Sequence, residues 1–366
     1  MSNMLEIGIR IKDEREKRSL TQDELATQAK IESYQTLGKI ERGERKDLKT
    51  TELQRIAEAL GVSIGYLLGE FAQPQKSLIL WRKEPAAAQK ISLENRLHAF
   101  IEDYSFLEEV LNQNKKIRRT LPVSSMHPAD TSYEDAQEMA ENIRKTLDLG
   151  SQPSASLRTC LEEDFDVKVL YEDLGDSSAA CTRSDSSVAV MINKKESVWR
   201  QNYNLAHELY HIVTWDPEIL KKIKADPSLD KRNEELAENF AAGLLMPAED
   251  LKDDFRRMSE SGKISPADLM VLSSKYKVST EATAYRLLNL GCITKDDAKK
   301  LISEIHRESL SQESSIKYSE KLVRLAFFAY QKDKISKARL AQIVGVSLID
   351  LPNLLAAYDL NEPIQT

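Results

Sequence analysis

Two of the five histidines, His207 and His211, stand four residues apart in NLAHELYHIVTWD, and Glu208 directly follows the first. On a helix, residues i and i+4 share a face, so both imidazoles can turn a nitrogen toward one ion. Glu208 sits one step round, where it can reach a water on that ion without ligating it. This is the HExxH arrangement: two neutral nitrogen donors and a general base, suited to zinc-activated hydrolysis. The competing reading is a buried helix with one satisfied core histidine and one surface histidine. Glu208 favours the first reading, because a purely structural zinc has no use for a base and usually closes its shell with cysteines. The three cysteines, Cys160, Cys181 and Cys292, lie far apart in the chain.

A catalytic zinc also needs a third protein ligand and an open fourth position. The segment NEELAENFAAGLLMP offers Glu234, Glu235 and Glu238. At about 100° per residue, Glu234 lies about 75° from the middle of the apolar face made by Leu236, Ala237, Phe240, Ala241, Leu244 and Leu245. Glu238 lies about 115° away and Glu235 nearly opposite. Glu234 is therefore the expected ligand. Glu238 is expected to hydrogen-bond a ligating histidine, its alternative being a solvated helix charge, and Glu235 is expected to face water.

The elements that must position these side chains follow from periodicity. Trp199 to Thr214 and Glu234 to Met246 read as helices, the second ended by Pro247. Before them, Val167–Tyr171 and Ser187–Ile192 carry β signals, with SAACTRS as a third strand between them. Helices are expected over Tyr133–Leu149 and around Leu157–Glu163, and everything after Pro247 reads helical. Residues 93–115 carry an apolar helical stripe, and 71–92 read as a linker with one short strand in SLILWRK.

NLAHELYHIV followed by EELAENFAAGLLMP resembles the ImmA/IrrE family of zinc metallopeptidases. VAVMIN with Arg200, and KYKVSTEATAYRLLNLG downstream, are similar to the same family, over roughly residues 130 to 295. Two departures stand out: Tyr210 occupies a position that is often glycine, and Glu238 one that is usually Asn or Asp. The resemblance implies a zincin-like domain, Zn2+ on His207, His211 and Glu234, Glu208 as base, and a protein substrate such as a repressor or antitoxin-like partner.

The first 70 residues read as five short helices around a small core. Thr21 with Glu24 forms a capping box, Ser33 caps the next helix, and Gly43 stops it. LTQDELA and SYQTLGKIERG resemble the Xre-type helix-turn-helix. The resemblance places Ser33, Tyr34, Gln35 and Thr36 at base edges, with the Gln35 amide suited to adenine. It makes Gln22 a backbone contact, and Lys39, Arg42, Arg45, Lys46 and Lys49 candidates for phosphates. The charges of residues 1–70 nearly cancel, and compared with the usual pattern of such motifs one extra residue lies between Ala26 and Ser33. A second, fainter likeness links segments 20–43 and 336–355, which share LA-plus-turn spacing.

Length and composition bound the rest. The 366 residues suffice for two or three domains, and 41% hydrophobic with 30% charged residues is a globular balance. A net charge of −7 argues against coating nucleic acid indiscriminately but not against a local basic face. No apolar run suits a membrane span, the N-terminus lacks a secretory signal, and the cysteines fit a reduced cytoplasm.

The expected architecture is α+β and mostly α. It comprises a helix-turn-helix domain at 1–70, a linker and connecting helix at 71–118, a zincin-like domain with a small sheet at 119–258, and a helical region at 259–366. The expected function is a cytoplasmic regulator that binds a double-stranded DNA operator, as a dimer if it reads two half-sites, and cleaves a protein partner. The alternatives are a non-proteolytic regulator whose metal site senses a ligand, and an antitoxin-like binding protein.

Overall fold

The computed structural model describes all residues except 1–3, 18–19, 46, 61, 63, 70–77, 113–118, 125, 185–186, 260–261, 306–315 and 361–366. Lys46 and His306 thus lie outside the described residues. Two compact units emerge, one of Met1–Ser77 with Pro85–Glu109 and one of Leu78–Glu84 with Val110–Thr366.

The first unit holds α1 (Met4–Lys17), α2 (Gln22–Gln28), α3 (Tyr34–Glu41), α4 (Thr50–Leu60) and α5 (Ile64–Leu68). Ile11, Leu25, Leu37, Ile40, Ile56 and Leu67 close its core with at most 1% exposure each. The Thr21–Glu24 capping box and the Ser33 cap both form. Helix α1 crosses α3 so closely that a Cβ on Gly8 would stand 2.4 Å from the Ile40 carbonyl oxygen. Gly43 ends the motif at φ +68° against the backbone of Leu5, a conformation that favours glycine. A further helix, α6 (Ala87–Val110), begins six residues before the apolar stripe suggests. The alanines of its first turn, read from sequence as linker, are the strongest helix formers.

The second unit opens with β1 (Ile79–Trp81). It continues through α7 (Tyr133–Thr146), α8 (Pro153–Glu163), β2 (Val167–Glu172), β3 (Ala179–Arg183), β4 (Val188–Asn193) and α9 (Val198–Val213). After these come α10 (Pro217–Ala225), α11 (Pro227–Leu245), α12 (Ala248–Met258), α13 (Pro266–Tyr276), α14 (Thr280–Asn289) and α15 (Lys295–Ile305). The last are α16 (Glu320–Gln331), α17 (Lys337–Val344) and α18 (Leu351–Ala357). Strand order is β1-β3-β4-β2, with β2 parallel to β4 and the other pairs antiparallel. Cys181 pairs with Val190, and Val190 with Val169, so the central strand β4 is buried along both neighbours. The segment from Asn204 through Val213 of α9 is buried all round. Such a helix belongs inside a core, here between the sheet and α11. Asp216-Pro217 and Asp226-Pro227 each supply a capping carboxylate and a proline at the first helical position. They start α10, which periodicity alone did not mark out, and they start α11 seven residues earlier than expected.

One contact between the C-terminal helices and this body centres on a buried carboxyl. The Ser319 hydroxyl donates to Glu162 Oε1 at 2.5 Å, and Lys321 donates to the Glu162 backbone carbonyl and pairs with Asp166 at 3.5 Å. Burial pushes the Glu162 carboxyl up to about 7. Its unfolded value is near 4.3, so between those limits only the folded form holds the proton. Stability should therefore fall as pH rises through that window and level off above it, by roughly 3 kcal/mol in all. Glu162→Gln should remove this slope. Melting curves collected across a pH series check it, and parallel wild-type and variant profiles would refute it.

Candidate functional site

Helix α9 carries His207 and His211 on one face, and α11 packs against it carrying Glu234. His207 Nε2 lies 3.2 Å from His211 Nε2 and 3.1 Å from Glu234 Oε2, and His211 Nε2 lies 3.3 Å from Glu234 Oε1. Two donors each about 2.0–2.1 Å from one tetrahedral ion stand about 3.3–3.4 Å apart, so the three separations, two of them slightly shorter, lie close to the spacing of a shared metal. Among the described residues, these three form the cluster able to hold an ion. The donor set, two imidazoles and a carboxylate, also leaves a fourth position open. Glu208 supplies a second indication of fit, since it is 1% exposed and neither carboxylate oxygen has a hydrogen-bond partner. A buried, unpartnered carboxylate costs free energy unless the site uses it.

Electrostatics follow from burial and proximity. Burial drives His207 toward its neutral form. His211 is equally buried, but the Glu234 carboxylate beside it outweighs burial and raises it. Burial acts to raise Glu234, yet the two imidazoles hold it far below the usual carboxylate range. On β3, burial pushes the Cys181 thiol well up, and the neighbouring Glu208 carboxylate adds to the effect.

The outer ring contains residues that sequence reasoning missed. Glu238 Oε1 lies 3.7 Å from His207 Nδ1, too far for the expected hydrogen bond, and that nitrogen has no hydrogen-bond partner. Arg82, just after β1, donates to Glu238 Oε1 and, at 2.5 Å, to Asn204 Oδ1. Tyr203 Oη donates to Glu238 Oε2 at 2.7 Å. The Asn233 amide lies 3.4 Å from His211 Nδ1. Leu80, Trp81 and Arg82 share with Glu208, His211 and Glu234 a cavity of about 10 Å3, room for one water. Arg82→Ala should weaken metal retention about 10- to 100-fold, because a carboxylate behind a ligating histidine loses its anchor. Competition with a chromophoric chelator measures this, and unchanged affinity would remove Arg82 from the site.

Other candidates divide clearly. Glu235 accepts from Tyr133 Oη at 2.6 Å at the protein surface. Tyr210 is 1% exposed and packs on Phe240 in the core. His127 Nδ1 accepts from the Ala129 amide at 3.3 Å, within its own turn. In the first unit, Tyr34, Gln35 and Lys39 are exposed on α3, while Ser33 and Thr36 hydrogen-bond each other at its start. Gln22 donates to Glu41 Oε2 at 2.7 Å, beside the buried Arg15–Glu41 pair. Arg42 is exposed but forked onto Glu44 at 2.8 and 3.0 Å. Arg45 is held by Asp47 and Glu52.

Comparisons with known proteins agree with this layout. Residues 162–288 match the M78 peptidase family, described as the IrrE N-terminal-like domain, and residues 11–67 match a helix-turn-helix family. The chain joins a helix-turn-helix domain to an IrrE N-terminal-like domain. A search of curated proteins gave no match. Among solved structures, a Mycobacterium tuberculosis transcriptional regulator matches at 16% identity and a TM-score of 0.33, over 52% of this chain and 51% of its own. The match thus spans about half of that regulator's length. The apo form of the competence regulator ComR from Streptococcus vestibularis matches at 14% identity and a TM-score of 0.18, over 98% and 100%. Both scores are too low to support an argument. No described helix of this fusion is long and apolar enough to cross a membrane.

Proposed function

We propose that this chain is a cytoplasmic DNA-binding regulator whose peptidase-family domain is a zinc endopeptidase acting on a repressor or antitoxin-like protein. The observation that carries the reading is the convergence of His207, His211 and Glu234 beside the unpartnered Glu208 carboxylate. Residues 1–70 are the operator-binding domain, 71–118 the connection, 119–258 the peptidase body and 259–366 its helical continuation. A dimer suits an operator with two half-sites.

In this reading His207, His211 and Glu234 hold Zn2+, which when bound supplies Lewis acidity to a water and to the scissile carbonyl. Glu208 accepts the water's proton and passes it to the leaving amine. Glu238, held by Arg82 and Tyr203 with its Oε1 3.7 Å from His207 Nδ1, places a negative charge behind that ring.

The DNA half of the reading rests on the exposed polar start of α3. Tyr34, Gln35 and Lys39 are positioned for base edges and backbone, with Ser33 and Thr36 setting the helix start. Gln35→Ala should relax discrimination at one base pair by about 1–3 kcal/mol. Footprinting on the operator selected from a random duplex pool measures it, and unchanged protection would reassign the reading helix. The test of the whole is metal analysis of purified protein together with mass spectrometry of cleavage products. Protein that retains zinc, yet yields no product from any partner captured with it, would favour a metal-dependent switch of DNA affinity without turnover.

A further inference from the structure

The faint likeness of segments 20–43 and 336–355 is geometric as well as textual. Thr21 caps α2, Leu25 and Ala26 are buried four and five residues on, and Lys30, nine on, is left-handed at φ 51°. The Ile31 amide then donates back to the Ala26 carbonyl at 2.8 Å. In the second unit Ser336 caps α17, Leu340 and Ala341 are buried at the same steps, and Gly345, nine on, is left-handed at φ 76°. The Val346 amide donates back to the Ala341 carbonyl at 3.0 Å. The second helices correspond in part, since α18 begins at Leu351, four residues after Ser347, where α3 begins directly after Ser33. Ser33 Oγ accepts from the Thr36 amide at 3.2 Å, and Ser347 Oγ from the Asp350 amide at 3.1 Å. Leu37 and Ile40 are buried four and seven residues after Ser33, as Leu351 and Leu354 are after Ser347. Helix α16 packs on α17 as the third member.

We propose that residues 319–360 form a second helix-turn-helix that binds double-stranded DNA, a site additional to the one assigned to residues 1–70. Along the chain, Lys332, Lys334, Lys337 and Arg339 surround the start of α17, with Asp333 the carboxylate between them and Arg339 donating to Gln342 Oε1. A helix N-terminus with added cations is where such a motif meets phosphate. The groove face differs from that of α3. Ile349, in the turn before α18, and Asn353, on that helix, stand at the sequence steps of Gln35 and Lys39, and Ile349 is 87% exposed with Leu348 at 52%. Aliphatic side chains read thymine methyls and an asparagine amide reads adenine, so the target is an A·T-rich major groove.

Anisotropy titrations of the full-length protein test this, with labelled duplexes of about 30 base pairs, one A·T-rich and one G·C-rich, from about 50 to 300 mM KCl. The double variant K332Q/K334Q should bind both duplexes roughly ten-fold more weakly and reduce the salt slope by about 1.8, or 0.9 per lost phosphate contact. Ile349→Ser and Asn353→Ala should each lower the A·T preference roughly five- to ten-fold with the slope unchanged. Matching far-UV circular dichroism and melting temperature show that the variants are folded. Gln35→Ala, run in parallel, perturbs only the N-terminal helix, so its failure would leave the C-terminal comparison intact. An unchanged slope in K332Q/K334Q overturns the proposal. So does an Ile349→Ser protein that binds both duplexes normally but changes oligomeric state in sedimentation, which would mark the face as a protein contact.

Discussion

Glu208→Gln is expected to keep its metal and lose its hydrolytic activity. The substitution is nearly isosteric, and Glu208 contributes no atom to the three-donor cluster, so metal content should match that of the wild type. What changes is proton acceptance. A positioned general base contributes about 10²- to 10⁴-fold, and the amide cannot take a proton from water. Burial sharpens the effect, because with Glu208 1% exposed no bulk solvent stands in for the missing base. Metal content by mass spectrometry and digestion of a proteome-derived peptide library give the two readouts. Equal digestion by both proteins would exclude Glu208 as the base. A variant that regulated normally in cells would show that regulation does not pass through proteolysis.

Removing the metal is expected to lower the melting temperature of the peptidase-family unit by the order of 10 °C. An ion bound only by the folded state stabilises it by about 4 kcal/mol at a thousand times its dissociation constant, and each kcal/mol moves a domain of this size by about 2–4 °C. The site has reason to respond strongly. Without a cation, burial opposes charging His207, and at His211 only the Glu234 carboxylate outweighs that opposition. Glu234→Gln should bind zinc far more weakly and show little added stabilisation in excess metal. Calorimetry with and without a chelator measures both, and coincident melts for the two forms would mean that these side chains hold no ion.

Much of this protein is local and therefore legible in its sequence. The His207–Glu208–His211 spacing needs only the helical repeat, and Glu234 follows from the phase of one apolar face. The Thr21 and Ser33 caps and the three strands of the 167–193 segment likewise depend on neighbours in the chain. Where local signals competed, short-range capping prevailed, as in the Asp-Pro pairs that start α10 and α11.

What only the tertiary structure decided lies across long separations. Arg82 meets Asn204 and Glu238, 122 and 156 residues away, because a three-residue strand takes the outer place beside β3. Nothing in the pattern around SLILWRK specifies those partners. Likewise Gln22, Arg42 and Arg45 look like free polar groups in the sequence, yet each has a carboxylate within its own module. Periodicity reports which face of an element is apolar, since that preference is written residue by residue. Which charged groups meet is set by how whole elements pack, through pairings that no single segment encodes.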